Sequence, residues 1–231
     1  MMLGARTGAW AKSGGWVNPY VTEGLVAMWD GEWNAGGGVH SEVKRCIDIT
    51  GLNGEVENYY SQESDSFWLR NSNSPVEIGD DLLAAIASGT FTFESFIDIQ
   101  YIGSWNYLVG AKYSSDWLKF SIRFNDSSSV LASNKVMNSG FNDIKIGVNR
   151  ISFTSLTNGN GVIFGNEKSK SFSGMIATEP ITDRSLYFGL LKNYGYSCDC
   201  KVHCVRFYNR RLSDDEIASN YAIDKARFNL P

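Results

Sequence analysis

Residues 91–100 read FTFESFIDIQ, and this stretch decides the fold class of the chain. Apolar side chains recur on one face at alternate positions: Phe91, Phe93, Ile97 and Ile99. A period of two residues is typical of a β-strand that has one face in a hydrophobic core. The stretch therefore predicts a strand of a sheet with a buried face.

The same pattern recurs on both sides of this strand, with glycine, asparagine or serine between the repeats. Further strands are predicted around residues 24–30, 117–124, 144–148, 162–164, 186–190 and 202–208. Residues 158–161 read NGNG, which is a strong signal for a hairpin turn. Many short strands separated by turn residues predict an all-β antiparallel sandwich.

Two short helices are predicted among the strands. Residues 80–87, DDLLAAIA, begin with acids and are followed by Gly89, which favours a helix. Ser213 and Glu216 have the spacing of a capping box, in which each side chain accepts a hydrogen bond from the other residue's backbone amide. The second helix is predicted to turn a stripe of four residues inward: Ile217, Ala218, Tyr221 and Ala222.

Composition limits the classes of partner. The 231 residues are 43% hydrophobic, which suits one large domain, predicted at residues 21–231 after an N-terminal arm at residues 1–20 that could mediate a homo-oligomer. A net charge of −4 argues against nucleic acid as a partner. No apolar stretch is long enough to predict membrane insertion. Residues 1–16 lack the apolar run of a secretory signal peptide.

Three of the four cysteines, Cys198, Cys200 and Cys204, lie within seven residues of one another. One interpretation is a zinc site completed by His203 or Cys46, although the spacing differs from that of the usual cysteine pairs. The other interpretation is a β-strand whose cysteines pack as small apolar residues in a reducing compartment. The spacing favours the second interpretation.

Residues 205–218, VRFYNRRLSDDEIA, resemble the closing motif of laminin G-like, concanavalin A-like domains, where the last core strand runs into a capped helix. Residues 24–31, GLVAMWDG, are similar to the opening strand of that family, and residues 46–51 and 91–94 to segments between them. The resemblance covers residues 22–229. It implies a jelly roll of two stacked antiparallel sheets, in a lectin-like module that more often binds sugars or proteins than catalyses.

Residues 3–15, LGARTGAWAKSGG, are similar to the start of proteins from bacteriophages and mobile elements of gut bacteria. This resemblance implies synthesis in a bacterial cytoplasm and display on a virion or another extracellular surface, without a secretory signal. The partners that it implies are glycans of a cell surface or other virion proteins.

Aromatic residues make up 13% of the chain, with 7 tryptophans, which is more than one core needs. Sugars pack their apolar C–H faces on rings, while a few polar groups set their orientation. Exposed aromatic residues are also enriched in protein interfaces. The candidate ligand-binding residues are predicted in loops or at outward strand positions: Trp33, Trp105, Tyr107, Tyr113, Trp117 and Arg123.

Asp30 and Asp48 flank a glycine-rich stretch that also contains Asn34 and His40. Oxygen ligands on such a loop could hold Ca²⁺, which takes about six to eight oxygens. The alternative is that both carboxylates bind backbone groups and fix the loop. The segment offers few ligands, so the backbone role is favoured, with Asp30 and Asp48 kept as calcium candidates and no other cofactor predicted.

Glu94 and Asp98 are predicted on one strand face, where related sandwich glycosidases place a pair of carboxylates. Four residues along a strand span about 13 Å, whereas catalytic pairs lie about 5–9.5 Å apart. The spacing therefore argues against catalysis. We expect a non-catalytic carbohydrate-binding or adhesion module on a phage virion. The alternatives are a structural virion protein, such as a decoration or fibre subunit, and, less favoured, a glycoside hydrolase.

Overall fold

The computed structural model describes residues 18–31, 45–46, 50, 52–54, 56–57, 61–62, 66–70, 73–103, 106–112, 118–124, 130–132, 144–156, 160–173, 184–189 and 199–228. In chain order the strands are β1 (Leu25–Asp30), β2 (Arg45–Cys46), β3 (Val56–Glu57), β4 (Ser61–Gln62), β5 (Phe67–Arg70), β6 (Asn73–Glu77), β7 (Phe91–Tyr101), β8 (Asn106–Lys112), β9 (Leu118–Phe124), β10 (Val130–Ala132), β11 (Gly147–Ser155), β12 (Gly161–Gly165), β13 (Lys168–Phe172), β14 (Ser185–Gly189) and β15 (Asp199–Tyr208). The helices are α1 (Asp80–Ser88) and α2 (Asp214–Arg227). Neither helix has the length and apolar character that a membrane span requires, within the residues described.

The described strands form two main antiparallel sheets. One follows the order β13-β12-β11-β7-β15-β5-β4, with β1 also paired to β15, and the other follows β10-β9-β8-β14-β6. The short strands β2 and β3 pair with each other in a separate two-stranded sheet. This arrangement confirms the predicted all-β jelly-roll sandwich with two helices.

The core lies between the two main sheets. On β7 the apolar face predicted from the alternation is buried, and Phe93 packs edge-on against Phe207 of β15, with ring centroids 5.1 Å apart. Trp29 of β1 reaches across to Phe188 of β14 at 5.2 Å, so rings of the two sheets meet directly. Burial of these large rings is the main stabilising term of the sandwich.

The predicted hairpin is confirmed in β11 and β12. Ser155 pairs with Gly161, and the Leu156 amide donates to the Asn160 carbonyl at 2.8 Å, so the two strands are antiparallel neighbours up to these residues. The prediction of a strand from residue 144 is wrong at its start. The strand begins at Gly147, and the Ile146 side chain is 65% exposed.

Both helices are confirmed, but the inward stripe of α2 differs from the prediction. The capping box of Ser213 and Glu216 is formed, and Gly89 closes α1 in the left-handed region at φ 75°. On α2 the buried residues are Ile217, Asn220 and Asp224, while Ala218 and Ala222 are exposed and Tyr221 is half-buried. Two polar side chains face the sheet because that surface carries buried charges of its own.

Candidate ligand-binding groove

Helix α2 lies across the face of the eight-stranded sheet that points away from the core. Arg206 of β15 is the centre of a buried polar network there. Its two terminal nitrogens donate to Asp224 of α2 at 2.8 and 2.6 Å, and its Nε donates to Glu94 of β7 at 3.2 Å. The amide of Asn220 donates to the same Glu94 oxygen at 2.7 Å and to the Tyr208 hydroxyl at 3.1 Å. The network fixes α2 to the two central strands.

A second branch of the network includes the segment before β1. The Tyr20 hydroxyl donates to Asp224 at 2.5 Å and accepts from Arg227 at 2.6 Å. Arg227 also makes two hydrogen bonds to Asp30, at 2.7 and 2.9 Å. Tyr20, assigned by the sequence prediction to the N-terminal arm, is buried against Met28. Residues next to β1 are therefore docked on the same helix.

Burial and neighbouring charges shift the pKa values of the ionisable groups in this network. Burial raises the pKa of the Glu94 carboxyl, since the attraction of Arg206 does not offset the loss of water around it. Burial is the largest single effect on Arg206 and opposes its charged form, but the attraction and hydrogen bonds of Asp224, with further contributions from Cys204 and Glu94, together outweigh burial and raise the pKa of that guanidinium. The Glu94 side chain is only 2% exposed. Its carboxylate supports α2 and does not face solvent.

A groove of about 380 Å³ runs between α2 and the end of the eight-stranded sheet that carries β11, β12 and β13. Its wall on the sheet side is formed by Arg150, Phe164, Glu167 and Ser169, and its wall on the helix side by Asp214, Ile217, Ala218, Tyr221, Ala222 and Lys225. The two walls combine rings, methyl groups, two cations, two carboxylates and two hydroxyls. This mixture can contact both apolar and hydrogen-bonding parts of one ligand.

The turn between β12 and β13 positions Arg150. Asn166 in this turn adopts a left-handed backbone at φ 52°, a region that asparagine tolerates better than most residues. Its side chain accepts from the Arg150 backbone amide at 2.9 Å, and its backbone carbonyl accepts from the Arg150 guanidinium. The guanidinium lies over the Tyr221 ring at 4.2 Å and over the Phe164 ring at 5.6 Å. Both separations are within the range of cation–π attraction.

Tyr221 stands at the centre of the helix wall. Lys225, one turn further along α2, places its ammonium 5.7 Å from the Tyr221 ring. Burial raises the pKa of the Tyr221 phenol, and the nearby carboxylate of Glu167 raises it further. The phenol is therefore a neutral hydroxyl that can donate or accept, beside a carboxylate that can only accept.

Two of the sequence-predicted ligand residues, Tyr107 and Arg123, come together in the other sheet. They are cross-strand partners on β8 and β9, and Arg123 donates to the Tyr107 hydroxyl at 2.8 Å. The prediction of Tyr107 as an exposed ring is wrong, because the side chain is 1% exposed. Arg123 is half-buried beside it. Neither residue lines the groove at α2.

The remaining ligand candidates fall outside the described residues: Trp33, Trp105, Tyr113 and Trp117. Asn106, which follows Trp105 in the sequence, pairs with Phe124, and Lys112 pairs with Leu118, which follows Trp117. Asn106 and Leu118 thus lie at opposite ends of the β8–β9 pair.

Asp30, one of the two calcium candidates, is buried and forms an ion pair with the guanidinium of Arg227. Both of its carboxylate oxygens accept from Arg227, an arrangement that satisfies the charge within the protein. Asp48 lies outside the described residues. Within the part of the chain that is described, no three His, Cys, Asp or Glu side chains are grouped to hold a metal ion.

The two described cysteines of the C-terminal cluster pack on opposite faces of β15. Cys200 is in the core between the sheets, whereas the Cys204 thiol lies 3.5 Å from Asp224 under α2. An irregularity in the pairing with β7 between Val202 and Cys204 changes which face the following residues occupy. These positions do not allow Cys200 and Cys204 to ligate one metal. Cys198 is outside the described residues.

The groove was not predicted from the sequence, although Tyr221 was placed on α2. Arg150 follows Ile146 and Val148 at alternate positions, and nothing in this pattern distinguishes it from an arginine that points to solvent. The one local signal was the turn at Asn166, whose asparagine favours a left-handed conformation. Only the tertiary packing of α2 against β11 shows that Arg150 and Tyr221 meet.

No protein-family model and no curated protein matches the chain, but solved structures do. A sialidase of Trypanosoma rangeli, in complex with 2,3-difluorosialic acid, superposes with a TM-score of 0.65 at 14% identity, over 85% of this chain and 32% of that chain. A structure of botulinum neurotoxin type C, whose cell entry is described as dependent upon interaction with two ganglioside molecules, superposes with a TM-score of 0.55 at 13% identity, over 87% of this chain and 51% of that chain.

The chain thus spans about a third of the sialidase and about half of the neurotoxin chain. At such low identity the likeness concerns the path of the backbone and not the site residues. It shows that the chain has a β-sandwich fold that occurs within both proteins.

Proposed function

We propose that the chain is a non-catalytic carbohydrate-binding module and that its ligand binds in the groove beside α2. The observation that carries this proposal is the half-buried Tyr221 ring in a wall that also offers charged groups and methyl groups. A sugar ring has apolar C–H faces and a rim of hydroxyls, so it needs both kinds of contact. Arg150 and Lys225 can donate to its oxygens, and Glu167 can accept from its hydroxyls.

The structural neighbours support a glycan as the class of ligand. The sialidase structure contains a sialic acid derivative, and the neurotoxin structure is described by its interaction with gangliosides, which carry glycans. Both likenesses concern the fold, so they support the class of ligand but not its binding site. The binding site is inferred from the residues that line the groove of this chain.

A binding role is also supported by the position of the carboxylates. Glu94 is enclosed by Arg206 and Asn220 beneath α2, where a substrate does not reach it. A glycosidase of the usual kind needs two carboxyl groups that flank the scissile bond. Release of oligosaccharide by the purified protein would contradict the non-catalytic role, and its loss in Glu94→Gln would also contradict the enclosed position of Glu94.

The experiment that tests the proposal is a glycan array with the purified chain, run with calcium and again with a chelator. We expect selective binding that Tyr221→Ala abolishes. Tyr101→Ala is the matched control, because Tyr101 is a ring 62% exposed at the end of β7 and does not line the groove. Binding that survives the chelator would count against the calcium candidates Asp30 and Asp48, and binding that survives Tyr221→Ala would move the site elsewhere.

The setting that we propose is adhesion of a virion to bacterial surface glycans, and its support is the resemblance of residues 3–15 to phage proteins. Mass spectrometry of virions purified from a culture that carries the gene would test whether the protein is a virion component. An array without any binding, together with a defined oligomer in solution, would favour the alternative of a structural virion subunit.

A further inference from the structure

The buried and partly buried arginines around α2 differ in how their charges are satisfied. Arg206 and Arg227 each make two hydrogen bonds to a carboxylate, that of Asp224 and that of Asp30 respectively. Arg150 is 7% exposed, yet among the described residues its guanidinium binds only a backbone carbonyl and two aromatic rings. Its Nε is buried without a hydrogen-bond partner there.

Such an arrangement is costly in the absence of a ligand. Arginine does not lose its proton under ordinary conditions, so burial leaves a charge that is only partly compensated. Burial lowers the pKa of Arg150, which reflects the same loss of hydration. A guanidinium in this state gains most from a planar anion that can accept two parallel hydrogen bonds, and a carboxylate has that geometry.

The rest of the groove defines what must be attached to that carboxylate. Lys225 adds a second positive charge to the groove, 5.7 Å from the centre of the Tyr221 ring. Glu167 and Asp214 would repel a ligand that is anionic throughout, but they accept hydrogen bonds from hydroxyls. A ligand with one acidic group and several hydroxyls satisfies both sets of residues.

We infer that the groove takes a saccharide that carries a carboxylate, with Arg150 as the residue that binds the acid group and Lys225 as its electrostatic support. This inference rests on the proposed carbohydrate-binding function and narrows it to acidic sugars. The aromatic and methyl groups contact the sugar ring, and the acidic residues of the groove orient its hydroxyls.

The test is calorimetric titration of the purified chain with pairs of sugars that differ in one acidic group. The probes are 3′-sialyllactose against lactose, and a hexuronic acid tetrasaccharide against its carboxyl-reduced form. We expect at least one acid to bind about tenfold or more tightly than its neutral partner, since charge-assisted bonds exceed neutral ones. Added salt should weaken binding of the acid and leave the neutral sugar unaffected.

Substitutions assign the preference to the groove. Arg150→Gln should abolish the preference for the acid, and Lys225→Gln, which removes a less buried charge, should reduce it. Lys170→Gln is the control for net charge, because Lys170 is exposed on β13 and does not line the groove. Circular dichroism establishes whether each variant is folded. If Arg150→Gln does not fold, the result for Lys225→Gln decides the test.

Three results would overturn the inference in different ways. Equal binding of acid and neutral sugars that depends on Tyr221 would overturn it and leave the proposed function in place. An acid preference unchanged in both groove variants would move the acidic site away from Arg150. Failure of every acidic and neutral glycan to bind would overturn the inference and the proposed function together.

Discussion

Arg206 of β15 and Asp224 of α2 form a buried ion pair with two hydrogen bonds, of 2.8 and 2.6 Å, and both side chains are 1% exposed. The pair connects the central strand of the eight-stranded sheet to the helix that forms one wall of the groove. Together with the packing of Ile217 against Phe164 and Tyr208, these charged bonds hold the helix on the sheet. The groove therefore depends on a network whose residues do not line it.

Asp224→Asn should lower the free energy of unfolding by about 3 kcal/mol, because the Arg206 charge stays buried after the charge of its closer carboxylate partner is removed and only Glu94 is left as an acidic partner. Denaturation with urea at neutral pH measures the change. Asp80→Asn is the control, since Asp80 pairs with Arg184 at the surface, with side chains 91% and 49% exposed. An exposed pair contributes no more than about 1 kcal/mol. Equal losses in the two variants would show that burial of the pair does not matter.

Much of the fold could be predicted from local patterns. The alternation in residues 91–100 predicted β7, NGNG predicted the hairpin of β11 and β12, and Ser213 with Glu216 predicted the start of α2. Each of these signals depends on side chains within a few residues of one another, so the sequence contains the whole cause.

The candidate site could not be predicted in the same way. Asn220 and Asp224 share a helix face with Ile217, but their polarity suggests exposure to solvent, and their partners Glu94 and Arg206 come from strands distant in the sequence. Tyr107 is buried on a strand whose pairing with β9 is irregular just after it, between Tyr107 and Val109. Tertiary pairing and bulges overrode the local pattern at these positions.

Glu94→Gln should gain stability relative to the wild type as the pH rises. Burial raises the pKa of Glu94 in the folded protein above its ordinary value of 4.5, so the folded chain binds more protons than the unfolded chain above that pH. Stability contributed by this group is complete below pH 4.5 and is lost as the pH rises through the higher folded pKa. Glutamine keeps an acceptor for Arg206 and Asn220 without titrating.

Urea denaturation of the variant and the wild type at several pH values between 4.5 and 8 measures the difference, in which the other titrating groups cancel. A difference that moves in favour of the wild type at higher pH would mean that Arg206 stabilises the ionised form more than burial opposes it.

Gly161→Ala should destabilise the edge of the sheet beside the groove. A Cβ at this position would lie 1.9 Å from the Thr154 carbonyl oxygen and 2.5 Å from the Phe172 ring, so the strands on both sides must move. Overpacking of this kind costs about 1–3 kcal/mol or more. Thermal unfolding measures the loss, with Ser171→Ala as the control, because Ser171 is exposed on the neighbouring strand. A melting temperature equal in both variants would show that β12 relaxes without cost.

Cys204 should resist alkylation in the folded protein. Burial raises the pKa of its thiol well above the ordinary value, and only the thiolate is an effective nucleophile. Iodoacetamide at pH 7.5, followed by peptide mass spectrometry, would find Cys204 unmodified in the native chain and modified after denaturation in guanidinium. Asp224→Asn should speed the labelling, because loosening of α2 exposes β15 more often. Rapid labelling of Cys204 in the native wild-type chain would contradict the buried position of the thiol beneath α2.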